Sequence, residues 1–169
     1  MDRKDIIYLG LPYMHDDEVV MDFRADISDI VAADLANRGF NVFAPISAWH
    51  HISKKYGLPG EWEYWKDFDE SFIKICSKVL IIILEGWRQS VGVTAEIDLS
   101  KKYNLEVGYI DPTPYVKELK KNPKIHKLGR DYNYRSIIYD VYGRADKIGT
   151  KKKQYEFTTE ECTSSTAGI

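Results

Sequence analysis

Among the 169 residues of this chain, Glu96 has the type and position that most suggest a catalytic role. It shares a helical face with Val93 and Leu99, so a helix through this stretch would partly bury its carboxylate. Burial raises the pKa of a carboxyl group, whereas a nearby helix N-terminus lowers it. Glu96 could therefore be an ionised nucleophile or an acid, or only a glutamate that stabilises the start of a helix.

Asp69 is a second candidate, in a stretch that is rich in aromatic residues. It shares a helical face with Trp65, Phe72 and Ile73. A carboxylate on an aromatic face either is held by a hydrogen bond or works as an acid, and the spacing leaves both open. The neighbouring Asp67 is expected to face solvent.

The turn before Glu96 has the composition of an anion-binding site. Ser90 and Gly92 follow an apolar run and open a helical pattern, and backbone N–H groups at a helix N-terminus bind phosphate. Serine is also a common N-cap, so the signal is not specific. His50 and His51 have no cysteine or carboxylate at ligand spacing, so we expect neither a metal nor a cofactor.

Alternating strand and helix patterns must position these residues. Apolar runs predict strands at 6–10, 41–44, 79–84 and 106–110. Apolar residues at helical spacing predict helices at 16–38, 61–77, 93–103 and 111–121, with an irregular segment at 46–61. Because the third strand would be apolar on both faces, we predict an α/β fold, a Rossmann-like doubly wound parallel sheet flanked by helices. Ligands bind outside the carboxyl ends of the strands in such sheets.

Charge is unevenly distributed along the chain, although its net value is only −2. Residues 1–116 carry 12 basic and 19 acidic side chains, whereas residues 117–153 carry 12 basic and 4 acidic ones. We therefore predict a catalytic domain over residues 1–121 and a basic, tyrosine-rich extension over 122–157 that packs on or near it. Residues 158–169 are expected to form a disordered tail.

Several classes of protein lack their sequence signatures here. The longest apolar run, 79–84, is too short to span a bilayer, and no apolar stretch as long as that of a signal peptide follows the charged N-terminus, so we expect a cytoplasmic protein without a membrane partner. Cys76 and Cys162 form no disulfide or metal pattern. The absence of Walker, G-x-G-x-x-G and G-x-S-x-G motifs argues against P-loop, dinucleotide and α/β-hydrolase chemistry.

Three segments in order resemble the nucleoside 2-deoxyribosyltransferase superfamily, which includes the 2′-deoxynucleoside 5′-phosphate N-hydrolases and the CMP N-glycosidases. They are Ile7–Gly10 in the first strand, Asp69 before the third strand, and the S-V-G-V-T-A-E stretch that ends at Glu96. Residues 57–65 and 86–90 look like a bacterial and phage branch of that superfamily. The resemblance covers roughly residues 6–111.

The resemblance implies catalytic roles for three residues. Glu96 falls where the superfamily has its nucleophilic glutamate, and Tyr8 falls where a tyrosine of the first strand holds that glutamate. Asp69 falls where an aspartate faces the base and helps to protonate it. Together these positions imply cleavage of an N-glycosidic bond.

Substrate contacts are implied by the same resemblance. Gly10 and Tyr13 lie in the segment that walls the sugar and base, and Ser90 falls where the monophosphate hydrolases have a serine beside the 5′-phosphate. Transferases that act on free nucleosides often have aspartate there, so Ser90 favours nucleotides. Tyr13, Trp62 and Trp65 could stack on the base or form a hydrophobic cluster under a long loop.

The expected activity is cleavage of (2′-deoxy)nucleoside 5′-monophosphates through a covalent glycosyl-enzyme, which water hydrolyses or a second base attacks. The resemblance implies a homodimer or larger homo-oligomer that works without a cofactor. A non-catalytic module that senses nucleotides is an alternative, and it would not need Glu96. A third possibility is single-stranded nucleic-acid binding by the basic extension, although a solvated surface with packed tyrosines is favoured.

Overall fold

Four short parallel strands form the central sheet of this protein. The computed structural model describes residues 5–121. The strands are β1 (Ile6–Gly10), β2 (Asn41–Phe43), β3 (Lys78–Ile82) and β4 (Glu106–Ile110). Their order in the sheet is β2-β1-β3-β4, with every neighbouring pair parallel. The chain therefore changes direction of travel across the sheet between β1 and β3, which is where open α/β sheets form a ligand-binding crevice.

Helices cover both faces of the sheet, as the apolar strands require. They are α1 (Glu18–Asn37), α2 (Pro45–Tyr56), α3 (Trp62–Ile73), α4 (Val91–Lys102) and α5 (Thr113–Lys121). Side chains alternate along β1, so that Ile7 and Leu9 join the core shared with α1 and α5. Tyr8 points to the opposite face and packs with residues of α3 and α4. The predicted Rossmann-like, doubly wound fold is confirmed.

The prediction of an irregular segment over 46–61 is wrong, because α2 occupies most of it. Pro45 suggested the end of a strand, but proline also fits the first turn of a helix, where its missing N–H costs nothing. The helix ends at Gly57, whose φ of 64° is the left-handed conformation that glycine adopts most easily. His50 therefore lies on a helix and is buried.

The remaining bounds differ less from those predicted. The strands at 6–10 and 106–110 are confirmed, whereas α3 ends at Ile73 and α4 begins at Val91. The predicted extension (122–157) and tail (158–169) lie outside the described residues. Within residues 5–121, no helix has both the length and the apolar character needed to cross a bilayer.

Phe23 of α1 provides a test of this packing. Its side chain is only 1% exposed, so Phe23→Ala should lower the free energy of unfolding by about 3–5 kcal/mol through lost burial and a residual cavity. Phe40→Ala is the matched control, since Phe40 is 40% exposed and should cost less than about 1 kcal/mol. Urea unfolding measures both, and equal losses would contradict the described core.

Candidate functional site

A cavity of about 890 Å³ lies at the carboxyl ends of β1 and β3. The loops after these strands line it, together with parts of α2 and α3 and the start of α4. Its position matches the crevice that the strand order predicts. Seven of the residues singled out from the sequence line this cavity, namely Tyr13, Trp62, Trp65, Asp69, Ser90, Gly92 and Glu96.

Tyr8 joins the two candidate acids into one buried group. Its hydroxyl donates a hydrogen bond to Glu96 Oε1 at 3.0 Å, and it also interacts electrostatically with the Asp69 carboxyl. Glu96 is 6% and Asp69 8% exposed, and Tyr8 is fully buried. Glu96 Oε2 and Asp69 Oδ1 find no hydrogen-bond partner within residues 5–121. The group therefore has two carboxylate oxygens left for a ligand.

Burial makes this group retain a proton. It raises the pKa of Asp69 to about 6, although the Tyr8 hydroxyl acts in the opposite direction. The pKa of Glu96 rises well above its usual value because of burial first and the nearby Asp69 charge second. Burial also raises the pKa of Tyr8, which keeps its hydroxyl as a donor. Burial and the repulsion between the two charges therefore oppose ionisation of both carboxyl groups at once.

Gly10 allows the Glu96 carboxylate to lie against the end of β1. A Cβ at this position would come within 2.2 Å of Glu96 Oε2 and 2.9 Å of Ile81 Cδ1. Both distances are shorter than van der Waals contact, so a side chain at position 10 would displace both the Glu96 carboxylate and the Ile81 methyl group. Gly10 therefore does not line the cavity, but its missing side chain leaves the space that the Glu96 carboxylate fills.

Ser90 starts α4, the helix that positions Glu96. Its Oγ accepts a hydrogen bond of 3.3 Å from the N–H of Val93, so the serine is an N-cap. Ser90, Val91 and Gly92 all line the cavity, which places the positive end of the α4 dipole at its wall. The arrangement suits an anion, as the sequence suggested.

Trp62 and Trp65 line the cavity from α3, but Trp65 also belongs to an aromatic cluster. Its ring contacts those of Trp49 and Phe68, with centroids 5.5 and 5.7 Å away. Its indole N–H donates to the carbonyl of Pro59 at 2.7 Å, which fixes the ring. For Trp65 the two alternatives from the sequence are therefore compatible, since it packs in the aromatic cluster and also lines the cavity.

A second polar group on the cavity wall was missed in the sequence. Tyr13 Oη lies 2.7 Å from His50 Nδ1, and His50 Nε2 lies 3.0 Å from Asp22 Oδ1 in an off-axis contact. Lys54 Nζ donates to the same Asp22 oxygen at 2.6 Å. The Asp22 carboxylate comes from α1, and no local sequence spacing reveals that it meets α2. His50 and Lys54, however, lie four residues apart on α2. Recognising that helix would have indicated a shared polar face.

Arg24 also escaped the sequence analysis, although it is 7% exposed and lines the cavity. Its guanidinium donates to the carbonyl of Met14 at 2.8 Å and that of Tyr13 at 3.3 Å. It also donates to the carbonyl of Glu85 at 3.1 Å. One buried cation thus joins the loop after β1 to the loop after β3.

The sheet order and the cavity at its crevice define a Rossmann-like α/β protein with two buried carboxyl groups at a ligand-sized site. This chain belongs to the family described as Domain of unknown function (DUF1937), whose model matches residues 5–110. The matched segment contains Tyr8, Asp69 and Glu96. A comparison with curated proteins gives no match. In the part of the chain that the structure describes, no group of three or more His, Cys, Asp or Glu is placed to hold a metal ion.

The space at Gly10 gives a prediction with opposite signs at two glycines. Gly10→Ala should destabilise the protein by roughly 1–3 kcal/mol, because the added methyl group overpacks the site. Gly92→Ala should be neutral or stabilising by up to about 1 kcal/mol, since its Cβ would meet Trp62 only at 3.9 Å and alanine favours the helix. Denaturant unfolding of both variants checks this. Equal effects would contradict the contact between Gly10 and Glu96.

Asp69 should make stability depend on pH in an identifiable direction. Its folded pKa of about 6 lies above the ordinary 3.8, so the folded protein keeps a proton that the unfolded chain releases between these values. The stability contributed by Asp69 is therefore lost as pH rises from about 4 to 6. Relative to wild type, Asp69→Asn should gain about 2–3 kcal/mol of stability between pH 4 and pH 7.

Urea titrations at both pH values measure this difference. Asp67→Asn is the matched control, because Asp67 lies on the same helix and is exposed as expected. If Asp69→Asn and wild type differ in stability by the same amount at pH 4 and at pH 7, folding does not raise the pKa of Asp69.

Proposed function

We propose that this protein cleaves the N-glycosidic bond of (2′-deoxy)nucleoside 5′-monophosphates. The observation that carries the proposal is the buried group of Tyr8, Asp69 and Glu96 at the cavity. Glycosidic cleavage requires one ionised carboxylate and one acid, and burial gives these two carboxyl groups different protonation states. The same three residues carry the resemblance to the nucleoside 2-deoxyribosyltransferase superfamily.

In the first step Glu96 attacks the anomeric carbon of the sugar as the bond to the base breaks. The hydrogen bond from Tyr8 to Oε1 orients the carboxylate, and one of its oxygens forms the new bond. Burial and the Asp69 charge favour a protonated Glu96 in the ligand-free site, so the step requires that the positive charge developing on the sugar favours the ionised form of Glu96 and that the proton moves to Asp69. Asp69 donates this proton to the departing base, which leaves as a neutral molecule.

In the second step the covalent glycosyl-enzyme is resolved. Water attacks the anomeric carbon to give hydrolysis, or a second base attacks it to give transfer, and Glu96 leaves as a carboxylate. Asp69, now ionised, accepts the proton that the attacking water or base loses. A cavity of about 890 Å³ is at the larger end of small-molecule sites, with room for an acceptor beside the sugar.

The phosphate is held at the start of α4. Ser90, Val91 and Gly92 line the cavity there, and the helix dipole favours a negative charge. Backbone groups thus bind the anion within an acidic domain. The enzyme is expected to be cytoplasmic and to form a homodimer or larger homo-oligomer, as the superfamily resemblance implies.

Glu96→Gln provides the main test of the activity. Purified protein is incubated with the common ribo- and deoxyribonucleotides and nucleosides, with and without a free acceptor base, and released bases are separated by chromatography. Wild type should release base from at least one monophosphate. Glu96→Gln should lower the rate by at least about 1,000-fold, because glutamine cannot form the covalent intermediate, and Asp69→Asn should lower it by roughly 100-fold or more.

Asp98→Asn is the matched control on the same helix. Asp98 is exposed and pairs with Lys101, so its replacement should leave the rate within about twofold of wild type. If wild type releases no base from any compound, the enzymatic proposal is wrong. Thermal stabilisation by nucleotides in that case would select the alternative of a sensing module.

A further inference from the structure

One polar group at the cavity wall has no part in the proposed reaction steps. It consists of Tyr13, His50, Asp22 and Lys54. Asp22 is 3% and His50 7% exposed, whereas Tyr13 is half-buried. Lys54 donates a hydrogen bond to Asp22 Oδ1, whereas Asp22 Oδ2 and His50 Nε2 have no hydrogen-bond partner within residues 5–121. The charge of Asp22 and the contact between His50 and Tyr13 then decide where the protons of this group lie.

The contact with Asp22 determines the tautomer of His50. Nε2 lies 3.0 Å from Asp22 Oδ1, off the axis of a hydrogen bond, and the negative charge of the carboxylate favours the tautomer with the proton on Nε2. Burial lowers the pKa of His50, although the Asp22 charge raises it, and the ring is neutral at pH 7. A neutral imidazole has one N–H, so Nδ1 is an acceptor.

The tautomer in turn orients the hydroxyl of Tyr13. Since Nδ1 is an acceptor, Tyr13 Oη must donate its proton across the 2.7 Å contact. Burial, with the charges of Asp22 and Glu18, raises the pKa of Tyr13 to about 12, so the hydroxyl stays protonated. Its only proton is then engaged, and the lone pairs of Oη remain for the cavity. Tyr13 thus offers a ligand a hydrogen-bond acceptor and no donor.

The charges around the cavity indicate which part of a nucleotide meets this wall. Asp22 and Glu18 contribute negative charge beside Tyr13, and Lys54 is already engaged with both of them, at 2.6 and 3.8 Å. A phosphate would be disfavoured there and favoured at the start of α4, beyond Glu96. With the sugar at Glu96, the uncharged base is the part that reaches Tyr13.

We propose that Tyr13, oriented by His50 and Asp22, selects bases that carry an exocyclic amino group where the corresponding oxo bases carry a carbonyl. The amino group donates to Oη, whereas a carbonyl would face the same lone pairs and leave both acceptors unsatisfied. Cytosine and adenine nucleotides are therefore preferred to those of uracil and hypoxanthine. This inference rests on the proposed function for the placement of the nucleotide.

Direct binding tests the selection separately from turnover. Calorimetric titration of the Glu96→Gln protein with dCMP, dUMP, dAMP and dIMP avoids hydrolysis during the measurement. Each amino nucleotide should bind at least about tenfold more tightly than its oxo counterpart, as expected for one hydrogen bond to a site that is otherwise left unpaired. Wild-type turnover of the same four compounds is measured in parallel.

Tyr13→Phe in this background removes the hydroxyl and retains the ring. It should weaken binding of dCMP and dAMP by roughly tenfold and leave dUMP and dIMP within about twofold. Tyr64→Phe is the matched control, because Tyr64 is 51% exposed and should change neither. Thermal unfolding confirms that both variants are folded. His50→Phe should also reduce the preference, since the Tyr13 proton is then free to turn towards a carbonyl.

The possible outcomes are distinct. Equal binding of amino and oxo nucleotides overturns the inference, and so does a uniform loss across all four with Tyr13→Phe, which would assign Tyr13 to the sugar. If turnover is absent but the amino preference is present and depends on Tyr13, the selection stands while the enzymatic proposal fails. If no nucleotide binds or reacts, both are wrong.

Discussion

The burial of the Glu96 carboxylate against β1 is the constraint on which the rest of the site depends. A carboxylate removed from water needs a hydrogen-bond donor or a proton of its own: Tyr8 provides the donor, and burial with the nearby Asp69 charge favours the protonated form. Gly10 leaves the volume that the carboxylate fills. Tyr8 and Gly10 lie two residues apart on one strand, so the alternation of side chains brings both to the face that α4 covers.

The topology extends this local requirement to the whole domain. β1 must be central, because its opposite face carries the core under α1 and α5 while its inner face carries the site. The neighbouring β3 must be parallel to it, so that their following loops meet at one crevice. The family match over residues 5–110 spans the four strands and the helices between them, and α5 follows it.

Sequence patterns predicted the features that depend on local periodicity. The strand runs, the fold and the helical faces of Asp69 and Glu96 follow from spacings of two, three and four residues. Contacts between distant segments could not be predicted in this way. Asp22 and His50 meet only because α1 and α2 pack together, and the interpretation of 46–61 as irregular removed the helix that carries His50. Whether the aligned residues catalyse the proposed reaction stays a prediction that the fold alone does not decide.

The carbonyl groups held by Arg24 have a consequence for divergence within the family. Every residue type has a backbone carbonyl, so positions 13, 14 and 85 can change their side chains without losing the hydrogen bonds to the guanidinium. The cavity mouth is thus fixed through atoms that substitution does not alter. Arg24 itself has no such freedom, because a single guanidinium supplies the donors on both sides. Substitutions at these three positions can therefore leave the loops around the cavity in place, whereas the loss of Arg24 removes all three hydrogen bonds.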